Sequence, residues 1–200
     1  SFMDELLNLV ENVTHYYNSY QFAQGLQITE EFFWNTFTDN YLELVKKRVF
    51  NSEGDDKASA VTSLRMGLSV ILRLLAPVLP TITDEIWSWC FSDETKTLSI
   101  HQSKWPNKEE FKELNKSKYK NSLEVAIKAI RSVRQSKTSE GIGLGKPVEK
   151  MKITTNQENL EIIDFIFEDF SNASNCFNFD KEKIDDENIK VEIISKIEDL

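Results

Sequence analysis

The sequence predicts a mainly α-helical protein, an antiparallel helical bundle followed by a small α+β C-terminal unit. Apolar residues recur at helical spacing through most of residues 2–137, which predicts amphipathic helices around a shared core. Only six Gly and four Pro occur among 200 residues, so the connections between helices should be short. After Pro147, the segments "VEKMKITT" and "IKVEIIS" alternate apolar and polar residues, as half-buried strands do.

The first two helices are expected over residues 2–19 and 21–50, and the polar stretch 51–56 then turns the chain. The second helix contains "FFWNTFTDNYLELVKKR" (32–48), in which aromatic residues are unusually frequent. At 100° per residue, one stripe of this segment faces the core and the opposite side faces solvent. The predicted core stripe is Phe33, Trp34, Phe37 and Tyr41, and the predicted outward residues are Asn35, Asp39 and Lys46.

A third helix is expected to begin near Lys57, with a core stripe of Val61, Leu64, Leu68, Ile71, Leu72 and Leu75. Pro77 and Pro80 should end it, because proline lacks the amide donor and clashes with the preceding turn.

A fourth helix is predicted to start at Thr81 as its N-cap, with Asp84 near its positive end. The next segment, "LSIHQSKWP" (98–106), is expected to be extended and to stop at its Trp-Pro pair.

A long basic helix is predicted over about residues 108–137, and "EGIGLGKP" (140–147) should follow it as a flexible hinge. Between the two predicted strands, "QENLEIIDFIFEDF" carries a helical apolar stripe. This pattern predicts three segments: a helical bundle at 1–107, a basic helix with a Gly-rich linker at 108–146, and an α+β unit at 147–200.

Charge is distributed unevenly along the chain. The net charge is −9, yet residues 104–150 hold twelve bases against six acids, and residues 151–200 hold thirteen acids against five bases. Residues 1–40 hold six acids and neither Lys nor Arg. Because phosphate responds to local potential, this asymmetry permits an RNA partner on one face. The alternative is that the charges only solvate helix faces.

No catalytic, cofactor or metal site is predicted. "GIGLGKP" fails as a phosphate loop, since Glu140 stands where glycine is required and Pro147 where Ser or Thr would hold magnesium. His15 and His101 have no Cys or carboxylate cluster at ligand spacing, and Cys90 and Cys176 fit no disulfide framework. The sequence contains neither a signal peptide nor an 18-residue apolar run, so a cytoplasmic location without a membrane partner is expected. The chain is also expected to be a monomer.

Three motifs carry a resemblance to a known family. "FFWNTFTDNYLELVKKR", then "ILRLLAPVLPTITDEIWS" (71–88), then "LSIHQSKWP" resemble, in this order, the helical domain of class I aminoacyl-tRNA synthetases of the valine, isoleucine and leucine group. "YLEL" followed by Lys and Arg, and the "SIH…WP" closure, resemble the valine enzymes most, and "RSVRQSKTSEGIGLGKPVEKMKI" resembles their C-terminal extension. The isoleucine enzymes are the alternative within the group.

The resemblance implies a helical bundle that binds the anticodon arm of tRNA. It also implies an upstream catalytic domain that uses ATP for aminoacylation, because this chain contains no counterpart of the "HIGH" and "KMSKS" signatures. The chain is therefore expected to be a fragment without catalytic activity of its own. A helical protein-interaction scaffold is the alternative from another functional class.

Unpaired bases are read by stacking and by hydrogen bonds to their edges, whereas cations hold phosphates without regard to sequence. On this basis, seven residues are predicted to bind tRNA: Gln24, Gln27, Asn35, Asp39, Lys46, Lys47 and Arg48. The amides and the carboxylate would read base edges, and the three cations would hold phosphate. Cations of the basic helix should also attract RNA, namely Lys116, Lys118, Lys120, Arg131 and Arg134.

Overall fold

The computed structural model describes residues 1–112 and 118–196, whose packing separates two units. The bundle unit combines Ser1–Asp39 with Gly54–Ser117, and the mixed unit combines Asn40–Glu53 with Lys118–Leu200. The helical segment from Phe22 to Asn51 therefore contributes residues to both units. The predicted fold class, a mainly α protein with a small α+β unit, is confirmed. The predicted segment boundaries after residues 107 and 146 stay a prediction.

The bundle unit is built on four helices: α1 (Phe2–Asn18), α2 (Phe22–Glu31), α4 (Gly54–Leu75) and α5 (Pro80–Cys90). Helix α1 buries Phe2, Leu6, Leu9, Val10 and Val13, which recur at i, i+3 and i+4 spacing as expected for one apolar face. Helix α4 contacts α1, α2 and α5. The helix order predicted for residues 1–90 is confirmed, with the second helix continuing through residue 51.

The aromatic segment contains a stretch of π-helix at Phe32–Leu42, followed by α3 (Glu43–Asn51). Phe37 is buried as predicted, and its ring stacks on Phe2 with 5.9 Å between centroids. A side chain at Gly67 would lie 2.7 Å from the Phe37 ring, so this approach requires glycine.

Trp34 corrects the predicted stripe, because 59% of its surface is exposed. On an α-helix, a separation of three residues places the Trp34 side chain about 60° from that of Phe37 around the helix axis. Bonds from residue i to i+5 rotate each residue by less, so the angle between these two side chains widens and Trp34 turns towards solvent.

Helix α4 ends at Leu75, two residues before Pro77, as predicted. Thr81 is not the N-cap of the next helix, because Leu79 holds that position and Pro80 begins α5. Proline suits the first helical turn, where its missing amide has no helical partner to lose.

A core cluster of the bundle unit joins the end of α4 to α5. It contains Leu72, Ala76, Trp87, Phe91 and Ile100. By length and composition alone, α4 could cross a membrane, since it has 22 residues with a mean hydropathy of 1.4 in its most apolar window. In the structure, α4 contacts α1, α2 and α5, and 39% of that window is buried.

Residues 91–112 form short elements: α6 (Ser92–Thr95) and two 3₁₀ turns, Ile100–Gln102 and Lys108–Phe111. The segment 98–106 is thus extended only in part. The predicted long helix is also corrected, because α7 spans Ser122–Ser139 and residues 108–111 are a separate 3₁₀ turn.

The mixed unit contains α3, α7, α8 (Gln157–Phe165), α9 (Phe167–Ser174) and a three-stranded sheet. The strands β1 (Lys150–Thr155), β2 (Phe179–Lys183) and β3 (Lys190–Ser195) have the order β2-β1-β3. Strand β1 is parallel to β2, with Met151 opposite Phe179, and antiparallel to β3, with Ile153 opposite Val191. The sequence did not indicate β2, because this edge strand is mostly exposed and lacks an apolar alternation.

The loop after α7 is anchored rather than a flexible hinge. Lys137 is 1% exposed, and its Nζ donates hydrogen bonds to the carbonyl oxygens of Leu144 (3.0 Å) and Lys146 (2.7 Å). Burial of the ammonium group lowers the pKa of Lys137, so the two carbonyl contacts offset part of the cost of burying its charge. Gly141 has φ +66°, and Ile142 N donates to the Lys137 carbonyl (2.8 Å), which ends the helix with a tight turn.

Candidate nucleic-acid interface

Asn35 lies in a groove of about 480 Å³ on the bundle unit. Residues of α1, α2 and the π-helix line this groove: Glu5, Asn8, Leu9, Asn12, Tyr16, Ile28, Glu31, Phe32, Asn35 and Thr36. Asn8 and Asn12 are exposed and four residues apart, so they project from the same side of α1. Three asparagine residues therefore line one groove, together with Tyr16 and Phe32.

The chemistry of this groove suits unpaired bases better than phosphates. An amide side chain offers two donors and an acceptor, which match the edges of nucleobases. The two carboxylates, Glu5 and Glu31, would repel a phosphate placed between them. Asn8 and Asn12 were not predicted as site residues, although their i, i+4 spacing on the polar side of an amphipathic helix was visible in the sequence.

The other predicted base-reading residues lie outside the groove lining. Gln24 and Gln27 are exposed on α2, and Gln27 Nε2 donates to Glu31 Oε1 (2.9 Å), a residue of the groove. Asp39 is exposed in the π-helix. The structure thus gathers Asn35 with Asn8 and Asn12, and it connects Gln27 to the groove through Glu31.

The three predicted phosphate-binding cations belong to the mixed unit and lie within α3. Lys46 is exposed and pairs with Glu43 (3.2 Å). Lys47 is half-buried, with its Nζ 5.5 Å from the centroid of the Phe177 ring. Arg48 lies in the last turn of α3, where a cation also interacts favourably with the helix dipole.

Arg48 has a structural partner within the mixed unit. Its Nε lies 2.8 Å from Asp169 Oδ1 of α9, and both side chains are less than a quarter exposed. This pair ties α3 to α9. The predicted phosphate contact of Arg48 stays a prediction, and the guanidinium would have to serve both partners.

The cations of the predicted basic helix differ in their exposure and in the groups they contact. Arg131 is exposed on α7, whereas Arg134 donates to Asn40 Oδ1 (3.1 Å). Lys118 lies over the Tyr119 ring (4.8 Å), and a hydrogen bond with Tyr119 raises the pKa of Lys118. Lys120 is exposed ahead of α7, and Lys116 lies outside the described residues.

Residues 1–153 match the family of the anticodon-binding domain of tRNA ligase. The match covers the whole bundle unit, including the groove around Asn35. The chain belongs to this anticodon-binding domain family.

Individual relatives of this anticodon-binding domain are valine–tRNA ligases. That of Thermobifida fusca is 32% identical over 193 residues, which is 96% of this chain and 21% of the relative. The enzyme of Cutibacterium acnes is 37% identical over 139 residues, 68% of this chain and 15% of the relative. The enzyme of Methanothermobacter thermautotrophicus is 32% identical over 174 residues, which is 86% of this chain and 19% of the relative. The chain thus spans about a fifth of the length of these relatives.

Proposed function

We propose that this chain binds the anticodon arm of a valine tRNA as part of a valine–tRNA ligase. One observation carries the proposal: the anticodon-binding family covers residues 1–153, and the relatives at 31–37% identity are valine–tRNA ligases. Within this proposal, the base contacts would lie in the amide-lined groove of the bundle unit.

The groove and the cations would divide the work of recognition. Asn8, Asn12 and Asn35 would form hydrogen bonds to the edges of unpaired anticodon bases, and this contact discriminates between sequences. Lys46, Lys47 and Arg131 would contact phosphates, which adds affinity for any RNA. Base reading by Gln24, Gln27 and Asp39, and phosphate binding by Arg48, belong to the same proposal.

The remaining four-fifths of such an enzyme would perform the chemistry. Aminoacylation requires ATP, valine and a catalytic domain, and we propose that this domain is a partner of the chain within one protein in the cytoplasm. The 200-residue chain alone should then form no aminoacyl-adenylate and charge no tRNA.

Salt dependence tests the RNA partner against the alternative of a protein-interaction scaffold. Affinity for tRNA should fall steeply as salt rises, because bound cations release the counterions of RNA phosphates. Lys47→Ala should flatten the plot of log affinity against log salt by up to about one unit, because the variant has one phosphate-binding cation fewer. Fluorescence anisotropy with labelled tRNA across a salt series measures both quantities.

Lys190→Ala is the matched control, since Lys190 is an exposed lysine of β3 that pairs with Glu192. It should keep the parental slope. An affinity for tRNA that does not change with salt would contradict the proposed RNA contact. A parental slope in Lys47→Ala would show that Lys47 of α3 makes no phosphate contact.

A further inference from the structure

The end of α1 places a tyrosine in a backbone conformation that favours glycine. Tyr20 N donates to the Tyr17 carbonyl (3.1 Å), and Gln21 N donates to the Tyr16 carbonyl (2.8 Å). These two bonds form the Schellman turn, whose left-handed residue is usually glycine. Tyr20 occupies that position with φ +59°. The same turn after α7 uses Gly141, with φ +66°.

Burial does not explain this choice of tyrosine, because 84% of the Tyr20 surface is exposed. A bulky residue with positive φ is strained, and strain that persists without a packing benefit is typical of binding positions. Asn175, another residue with positive φ, has the short polar side chain that tolerates this conformation. Tyr20 has neither that side chain nor a buried ring.

Tyr20 is the outer end of a row of aromatic rings on the bundle unit. Its ring lies 6.3 Å from Phe22, which is half exposed, and Phe22 lies 5.4 Å from Tyr17. Tyr17 in turn lies 5.5 Å from Trp105. We name Tyr20, Phe22, Tyr17 and Trp105 the aromatic row.

The inner part of the row is fixed and the outer part is accessible. Trp105 Nε1 donates to Thr14 Oγ1 (2.8 Å), and Tyr17 OH donates to the Leu74 carbonyl (3.3 Å). A side chain at Gly25 would lie 2.3 Å from the Tyr17 ring, so glycine there lets α2 close against this ring. Tyr20 and Phe22 therefore extend from a rigid base, which limits the entropy cost when they bind a flat ligand.

Positive charge lies at the inner end of the row. Trp105 lines a pocket of about 180 Å³ together with Arg73, His101 and Lys104. Arg73 is engaged by Glu110 (2.7 Å), whereas Lys104 is exposed. Aromatic faces next to a cation are the combination that binds single-stranded nucleic acid, with stacked bases and a held phosphate.

We propose that the aromatic row is a second RNA contact, in which an unpaired base stacks on Tyr20 and contacts Phe22, whose ring lies at 84° to that of Tyr20. Lys104, at the other end of the row, would hold a phosphate of the same strand. This site is separate in composition from the amide-lined groove, since the two share no lining residue. The proposal rests on the RNA-binding function proposed above and adds a stacking contact to it.

Tyr20→Gly is the decisive variant, because it should preserve or raise the stability of the fold while it lowers the affinity for RNA. Glycine accepts the left-handed conformation without strain, so the urea midpoint of unfolding should equal or exceed that of the parent chain. Affinity for an anticodon stem-loop RNA should fall roughly five- to hundredfold, the equivalent of removing one base stack. Tyr20→Phe should retain the parental affinity, since the ring is kept.

Trp89→Ala provides the control for removal of an exposed aromatic ring, because Trp89 of α5 is 72% exposed and is not part of the row. It should bind the stem-loop like the parent. Stem-loops with 2-aminopurine at single loop positions should show quenching on binding the parent and less quenching with Tyr20→Gly.

Parental affinity and quenching in both Tyr20→Gly and Phe22→Ala would overturn the stacking site and leave the proposed function standing. If the parent chain itself failed to bind the stem-loop at low salt, the proposed function and the stacking site would fall together.

Discussion

Individual side chains of the segment 32–48 divide it between core and surface. Phe37 is 6% exposed and packs on Phe2, whereas Trp34 is 59% exposed and touches Phe33 with ring centroids 4.9 Å apart. Asn35, the next residue, lines the groove. Neighbouring residues of one helix thus lie in the core and at the groove, and substitutions can test a stability role and the proposed recognition role separately.

Phe37→Ala should lower the free energy of unfolding by about 3–5 kcal/mol, through reduced burial and the cavity left beside Phe2 and Gly67. Trp34→Ala is the matched control and should cost at most about 1.5 kcal/mol, the value of one aromatic pair. Urea unfolding followed by circular dichroism measures both. Equal destabilisation in the two variants would show that the division between core and surface is misassigned.

At the scale of elements, the turns and the π-helix depart most from what the sequence indicates. The segment 98–106 is held to α5 by Asp84, whose Oδ1 accepts hydrogen bonds from Ser99 Oγ (2.7 Å) and Ile100 N (2.9 Å). The Ser99 hydroxyl, and then the Ile100 amide, lower the pKa of Asp84. Asp84 therefore joins the segment to α5 and does not serve only at the helix start.

The pH dependence of stability tests the role of Asp84. Because its pKa is lower in the folded chain than in the unfolded chain, the ionised carboxylate stabilises the fold above the unfolded pKa. This contribution is lost as pH falls through the folded pKa. Asp84→Asn should therefore be less stable than the parent at pH 7, and the difference should shrink well below the ordinary aspartate pKa of about 3.9.

Urea unfolding at neutral and acid pH measures the effect. Glu85→Gln, an exposed position on the same helix, controls for the removal of one surface charge. A constant difference between Asp84→Asn and the parent at every pH would contradict the role assigned to the carboxylate.

At the scale of the whole molecule, the sequence predicted the helix order and the late change to strands, because apolar periodicity records burial directly. It did not predict the π-helix, because no residue type marks the wider turn that changes the spacing of side chains around this helix. It also missed strand β2, which buries little, and the anchoring of the Gly-rich loop, which depends on the buried ammonium of Lys137.

The candidate site was predictable only in part. Asn35 was selected from its position on the polar side of one helix, and the structure adds Asn8 and Asn12 from another helix. The grouping of residues from two helices depends on tertiary packing, which the spacing of residues within one segment does not reveal. Arg48 shows the opposite case, because a cation that the sequence presents as free has a carboxylate partner, Asp169, more than a hundred residues away.

We propose that the bundle unit reads a valine anticodon through its amide-lined groove. The most direct test compares the affinity of the chain for a valine tRNA with its affinity for the same tRNA carrying another anticodon, isoleucine included. We expect tighter binding of the valine anticodon, a smaller preference in Asn35→Ala, and an unchanged salt slope in that variant. Equal affinity for both tRNAs, or a full preference retained by Asn35→Ala, would contradict it.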